Sequence, residues 1–240
     1  MLTFVVSCSP HALHGSRRET KTRPLTAAVA AVLTLINLPA VSSAQSWSRA
    51  IDMSRFTEGT LPPDFVTTWR TGQGSPGSWL VIDDATATQG KAIAQDSATP
   101  VENRFPLAVY TPVSAQNVMV SVRFKTMAGK LDQAAGIAVR LTSPSDYYVV
   151  RASVPEQNVV LYRMVKGIAR EIAAASVEVS PEKWHTLALH ADGAQFSASF
   201  DDKNLFAAQD GTLLKIGLVA LWTKADSVAR FDALKIRSVP

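Results

Sequence analysis

The chain has 240 residues, one Cys and a formal net charge of +4, with 47% apolar and 18% charged residues. This globular composition excludes a disordered chain, and a lone Cys excludes both a disulfide framework and a Cys-based zinc site. The length fits one or two domains.

Arg17, Arg18, Lys21 and Arg23 precede an apolar run from Leu25 to Val41, which Ser42-Ser43-Ala44 closes with small residues. This is the three-part pattern of a secretory signal. Residues 1–44 are therefore read as a signal peptide cleaved after Ala44, and the product as periplasmic or extracellular. Seventeen apolar-run residues that include Asn37 and Pro39 are marginal for a bilayer core of about 30 Å, so no stable membrane span is expected after processing. The leader takes four Lys and Arg residues and Glu19 with it, leaving residues 45–240 with 20 basic and 19 acidic side chains. They form no basic cluster, so the electrostatic footprint of a nucleic-acid binder is absent.

Residues 65–70, 78–83 and 91–95 read as strands, with loops at 59–63 and 72–77. From residue 118 the alternation is plain. Val118, Val120, Val122 and Phe124 enclose Ser121, Arg123 and Lys125, while Ala135, Ile137, Val139 and Leu141 alternate with Gly136, Ala138, Arg140 and Thr142. Side chains two apart share one face of a strand, so each apolar set is expected on a single face. Further runs cover 147–153, 159–166, 168–176, 184–191, 194–200, 215–222 and 228–237. The 168–176 run has some helical character, but the β-branched residues after it and its flanking turns favour a strand. Lys166-Gly167, Asp192-Gly193, Asp201-Asp202 and Asp210-Gly211 fall between runs and read as turns. Strands at this short, regular spacing indicate an antiparallel sandwich or barrel. Residues 45–240 are read as one all-β domain, large enough to bury a sizeable core.

Several segments carry a family resemblance together. They are Gly136-Ile137-Ala138-Val139-Arg140, Asp146-Tyr147-Tyr148-Val149-Val150-Arg151, Asn158-Val159-Val160-Leu161-Tyr162, Trp184-His185-Thr186-Leu187 and the segment from Gly217 to Val228. In this order they resemble the concanavalin-A-like jelly-roll domains of exported bacterial proteins, and among these the DUF1080 or 3-keto-disaccharide hydrolase-like family. Phe56-Thr57-Glu58-Gly59 stands where that family opens with Leu-Phe-Asn-Gly, and Phe231-Asp232-Ala233 where it ends with Phe-Arg-Asn. The resemblance implies an antiparallel two-sheet jelly-roll sandwich, with sugars bound on a concave face or at the loop rim.

Local catalytic signatures are sparse. Gly72-Gln73-Gly74-Ser75-Pro76-Gly77 spells G-x-G-x-x-G, but a strand and not a helix is expected after it, so it reads as a surface loop. His185 and His190, five apart on one strand, point to opposite faces and do not share a metal. Paired glycosidase carboxylates on one strand and a G-x-S-x-G elbow are both missing. What remains is a set of aromatic and ionic side chains: Arg140, Tyr147, Tyr148, Arg151, Tyr162, Trp222, Lys224 and Asp226. Aromatic rings offer flat faces to sugar C–H groups, and Arg and Asp bond hydroxyls in fixed geometry. These eight are the candidate ligand-binding residues. The expected partner is a carbohydrate or glycoconjugate, recognised without catalysis. Hydrolysis or elimination of 3-keto-glycosides and a laminin-G-like protein-binding module are the alternatives. No cofactor is predicted, a divalent metal is left open, and the sequence is silent on oligomeric state.

Overall fold

A computed structural model describes residues 46–70 and 73–240. The expected signal peptide, and Gly72 of the glycine-rich loop, lie outside the described residues. The strands are numbered in chain order and form two antiparallel sheets. The first runs β13 (Lys203–Gln209), β12 (Gln195–Phe200), β11 (His185–Asp192), β6 (Val118–Ala128), β15 (Val228–Ser238), β4 (Lys91–Gln95), β3 (Trp79–Asp83), with β1 (Ser48–Ala50) also on β15. The second runs β10 (Ile168–Ser176), β9 (Asn158–Val165), β8 (Asp146–Ser153), β7 (Ala134–Ser143), β14 (Gly217–Thr223), β5 (Leu107–Ala115), β2 (Phe65–Thr68). Consecutive strands repeatedly switch sheets, as in a jelly-roll sandwich, and the all-β expectation holds. Among the described residues the one helical element is a 3-10 turn, Met53–Arg55.

Alternation builds the core. Val120, Val122, Phe124, Leu187, Leu189, Phe231 and Ile236 of the first sheet meet Ile137, Tyr148, Val150, Leu161, Val219 and Leu221 of the second, all essentially inaccessible. Burying a large apolar side chain contributes about 1.5–3 kcal/mol, so this layer is the main source of stability. The sheet pairings are held at tight hairpins. Lys166-Gly167 and Asp201-Asp202 have positive φ at both central residues, the twist that matches flanking strands. Asp210-Gly211 makes no hairpin. It opens the connection that carries the chain from β13 to β14 in the other sheet.

Two expectations need correction. First, β1, β5 and β13 lie where no strand was expected. Pro112 interrupts β5, and the register against β14 shifts there, so the proline sits where no ladder N–H is required. Second, Leu141 does not share the inner face with Ile137 and Val139. Arg140 has φ +51, and the β7–β8 register shifts between Val139 and Ser143. This bulge turns Arg140 inward and Leu141 outward. The close approach needs Gly217 opposite, where a Cβ would come within 2.4 Å of the Arg140 carbonyl carbon.

Candidate functional site

The outer face of the second sheet is itself apolar. Leu107, Val109, Ala134, Ala138, Leu141, Tyr147, Val149, Met164, Ala220 and Trp222 form a buried cluster separate from the core between the sheets. One row across this face reads Val160, Arg151, Gly136, Trp222, Leu107 in register. Gly136 has no side chain to fill the row, and a Cβ there would meet the Val150 oxygen at 2.5 Å. The neighbouring row places Ala138 between Val149 and Ala220. Small residues on β7 and β14 thus leave a hollow between Arg151 and Tyr162 on one side and Trp222 on the other.

That hollow has a volume of about 210 Å³ and is lined by Asn103, Phe105, Val149, Arg151, Tyr162, Met164, Ala169, Trp222 and Lys224. Phe105 stacks on Trp222 with ring centroids 5.6 Å apart and planes 17° from parallel. The Trp222 indole N–H points at the Tyr147 hydroxyl, 3.4 Å away. Burial pushes the Tyr147 phenol well above its ordinary range, so it stays a neutral donor and acceptor.

The polar rim is charge-balanced. Arg151 bonds Glu156 Oε2 at 2.6 Å and the Tyr162 hydroxyl at 3.2 Å, and its guanidinium lies 5.5 Å from the Tyr162 ring centroid. Burial raises the Glu156 carboxyl, but the Arg151 and Asn158 hydrogen bonds and the Arg151 charge outweigh it and hold the group below the usual range. Lys224 Nζ pairs with Asp132 Oδ2 at 2.7 Å. Each cation of the rim therefore has its own carboxylate.

The structure divides the eight candidate residues. Arg151, Tyr162, Trp222 and Lys224 line this hollow, and Tyr147 lies buried against the Trp222 indole N–H without lining it. Arg140, Tyr148 and Asp226 do not, because their polar atoms are engaged within the fold. Arg140 donates to the Gln116, Leu213 and Gly193 carbonyls at 2.7–3.1 Å, beside the packed pair of Tyr148 and Phe196 rings. Tyr148 donates to Asp210 Oδ1 at 2.7 Å and accepts from the Leu213 N–H, and burial together with the Asp210 bond pushes its hydroxyl up to about 12. Asp226 accepts the backbone N–H groups of Lys130, Leu131 and Asp132, which fixes the loop bearing Asp132 behind Lys224.

Sequence reasoning missed Asn103, Phe105, Val149, Met164 and Ala169. Val149 shares a face with Tyr147 and Arg151 by strand alternation, a signal that was available. Phe105 precedes its strand and Ala169 is on an edge strand, so only the tertiary fold brings them in.

The remaining motifs are structural. The described part of the glycine loop runs into strand β3, not a helix. Trp79 is buried against Phe231, whereas Trp69 is half-buried with its indole N–H on the Gly74 carbonyl. Trp184 is not a core residue. It lies half-buried beneath Arg123 and Lys125, each 4.8 Å from its ring, with its N–H on Thr86 Oγ1. His185 borders a second, more polar hollow of about 510 Å³. One of its ring nitrogens faces Asp201 Oδ2 at 2.7 Å and the other the Ser180 backbone at 3.2 Å. Among the described residues no group of three or more His, Cys, Asp or Glu is placed to hold a metal ion, and no helix is long and apolar enough to cross a membrane.

Comparisons with known proteins agree on the architecture. The chain is similar to the carbohydrate-binding module CBM66 from Bacillus subtilis, at 19% identity over 66% of this chain and 91% of that one, with a TM-score of 0.54. It is also similar to a Bacillus subtilis protein of unknown function with a galectin-like fold, at 11% identity over 73% and 89% of the two chains and a TM-score of 0.50. A prokaryotic β-1,3-1,4-glucanase from a mouse hindgut metagenome matches at 10% identity over 82% and 100%, also with a TM-score of 0.50. At such identities these likenesses show the fold alone. No curated protein matches the chain. A family model described as the galactocerebrosidase C-terminal lectin domain matches residues 104–239, which run from the rim of the hollow to the end of β15 and make up more than half of the sequence, and the chain belongs to that lectin-domain family.

Proposed function

We propose that this protein is an exported lectin-like module that recognises an uncharged carbohydrate or glycoconjugate, without turning it over, in the hollow on the outer face of its second sheet. The observation that carries the reading is the convergence of Phe105, Trp222 and Tyr162 with Arg151, Lys224 and Asn103 around one small concavity. Rings give a flat surface for sugar C–H groups, and the ion-paired donors stand at fixed positions for hydroxyls. Pairing also sets the charge of the ligand. An anion would have to displace Glu156 or Asp132, whereas a neutral hydroxyl shares the existing network. Membership of a lectin-domain family supports the same reading, and the basic, apolar and small-residue leader supports export.

The test uses protein recovered from an exporting host, whose N terminus is expected at Gln45. Neutral and acidic glycans are screened on an array, and hits are measured by calorimetry. Neutral glycans are expected to bind, and Arg151→Ala and Tyr162→Ala to weaken binding at least tenfold with circular dichroism unchanged. Wild-type affinity in both variants would remove the ligand from this hollow. Incubation with 3-keto-disaccharides, the substrates implied by the family resemblance, completes the test. Product release would replace recognition with catalysis.

A further inference from the structure

One end of the sandwich carries large apolar side chains that the fold leaves in solvent. It is built from the β7–β8 turn, the β9–β10 turn and the connection from β13 to β14. Hydrogen bonds join the two turns: the Lys166 N–H donates to Asp146 Oδ1 at 3.0 Å and the Gly167 N–H to the Ser145 carbonyl at 2.9 Å. The connection meets them at a hollow of about 270 Å³, where Leu214 and Lys215 face Thr142 and Asp146. Ile168 is 73% exposed, Ile216 64% and Leu214 44%. Single exposed apolar residues are ordinary, but three gathered at one end among cations mark an interaction surface. Lys166 and Arg170 flank Ile168, and Lys215 separates Leu214 from Ile216. These cations are exposed, and none makes an ion pair among the described residues. Asp146 and Asp210, carboxylates of the same end, are engaged within the fold. Asp146 accepts from the Ser143 hydroxyl and the Lys166 N–H, and Asp210 from Arg163 and the Tyr148 hydroxyl. The opposite end is the reverse: Glu156, Glu178, Glu182, Asp201 and Asp202 lie exposed on its turns.

From this arrangement we infer that these turns dock on an anionic lipid surface. Ile168, Leu214 and Ile216 enter the headgroup layer, while Lys166, Arg170 and Lys215 meet the lipid phosphates. Residues 45–240 are almost charge-neutral, so the cations act only within a Debye length of the surface, about 8 Å at physiological salt. Lipid fits better than a protein partner. The three side chains project from separate turns, and a headgroup layer moulds around projections, whereas a protein interface needs one closely packed core. This docking does not use the hollow on the second sheet and does not rest on carbohydrate recognition.

The experiment is co-sedimentation of protein from an exporting host with sugar-free vesicles of phosphatidylcholine, alone or mixed with phosphatidylglycerol. Mixed vesicles are expected to bind about fivefold or more tighter, since each cation near an anionic surface is worth about fivefold in affinity. Ile168→Ser combined with Ile216→Ser is expected to weaken binding by about tenfold or more. Lys166→Gln combined with Lys215→Gln is expected to remove most of the preference for mixed vesicles. All four side chains are exposed, so urea midpoints are expected to match wild type. Leu131→Ser changes an apolar side chain 53% exposed at the opposite end, and is expected to leave vesicle affinity within about twofold. Failure to bind mixed vesicles would overturn the inference. So would binding that survives the paired isoleucine changes, or that Leu131→Ser weakens equally. A dimer in sedimentation velocity that the isoleucine pair dissolves, without vesicle binding, would assign the patch to a second copy of the chain and overturn it too.

Discussion

Asp84 shows how a single carboxylate organises the face opposite the site. Its Oδ2 accepts from Lys125 Nζ at 2.9 Å and from Arg230 at 2.8 Å, while Oδ1 accepts from the Thr86 N–H and hydroxyl. Lys125 and Thr86 in turn hold the Trp184 indole. Burial alone would raise the Asp84 carboxyl, but the Lys125, Thr86 and Arg230 hydrogen bonds win and carry it far below its ordinary 3.8. A carboxyl depressed on folding stabilises the native state fully above its unfolded value and loses that contribution as pH falls through the folded one. Asp84→Asn leaves Lys125 charged, only 8% exposed, and without its carboxylate. Removing one partner of a buried pair costs about 3 kcal/mol or more. The expected result is a destabilisation of that order in urea unfolding at pH 7, shrinking as pH falls below 3.8. A difference that stayed constant with pH would show that the effect is packing and not charge.

At the scale of the element, β7 joins the core to the site through its bulge. The backbone reversal at Arg140 sends a guanidinium inward to three carbonyls that belong to three connections: Gln116 between β5 and β6, Gly193 between β11 and β12, and Leu213 between β13 and β14. Tyr148 holds the last of these through Asp210 and Leu213. Hydrogen bonds from a charged donor contribute roughly 1.5–3 kcal/mol each, and buried carbonyls left without donors add a penalty. Arg140→Ala is therefore expected to destabilise the fold by roughly 3 kcal/mol or more, read from the denaturant midpoint. Glycan affinity of the folded fraction is expected to stay within about twofold. A loss of affinity at unchanged stability would return Arg140 to the binding site. The bulge also marks the limit of what alternation conveys. Strands such as β6 and β11 were legible because one face is buried and the other is not. β7 was legible as a strand, but a bulge flips faces without altering the apolar count, so Arg140 and Leu141 exchanged sides unannounced. Grouping Tyr147 with Tyr148 was avoidable, since neighbours on a strand face opposite ways. β13 carries little alternation because it is an edge strand, half open on both faces. Phe105 and Asn103 owe their place to the end of β5 and its register with β14, which no local pattern encodes.

For the whole molecule, charge decides what kind of ligand the fold can hold. Residues 45–240 carry 20 basic and 19 acidic side chains, so this part of the chain sets up almost no net field to attract or repel a charged partner. The local arrangement agrees. Arg123, Arg151, Arg163 and Lys224 each pair with a carboxylate, and so does the buried Lys125. Arg104 and Arg140 are spent on backbone carbonyls deep in the fold. A ligand gripped by free cations would lose affinity as salt screens them, because the Debye length shrinks from about 10 Å at 0.1 M to about 3 Å at 1 M. A neutral glycan held by stacking and paired donors has no such dependence. Affinity for the best neutral glycan is thus expected to change by less than about twofold between 50 mM and 500 mM sodium chloride. A steep fall over that range would mean that the ligand carries negative charge and breaks the Arg151–Glu156 or Lys224–Asp132 pair to bind. Glu156→Gln separates the two cases: it strengthens binding of an anion by freeing Arg151, and leaves a neutral ligand almost unaffected.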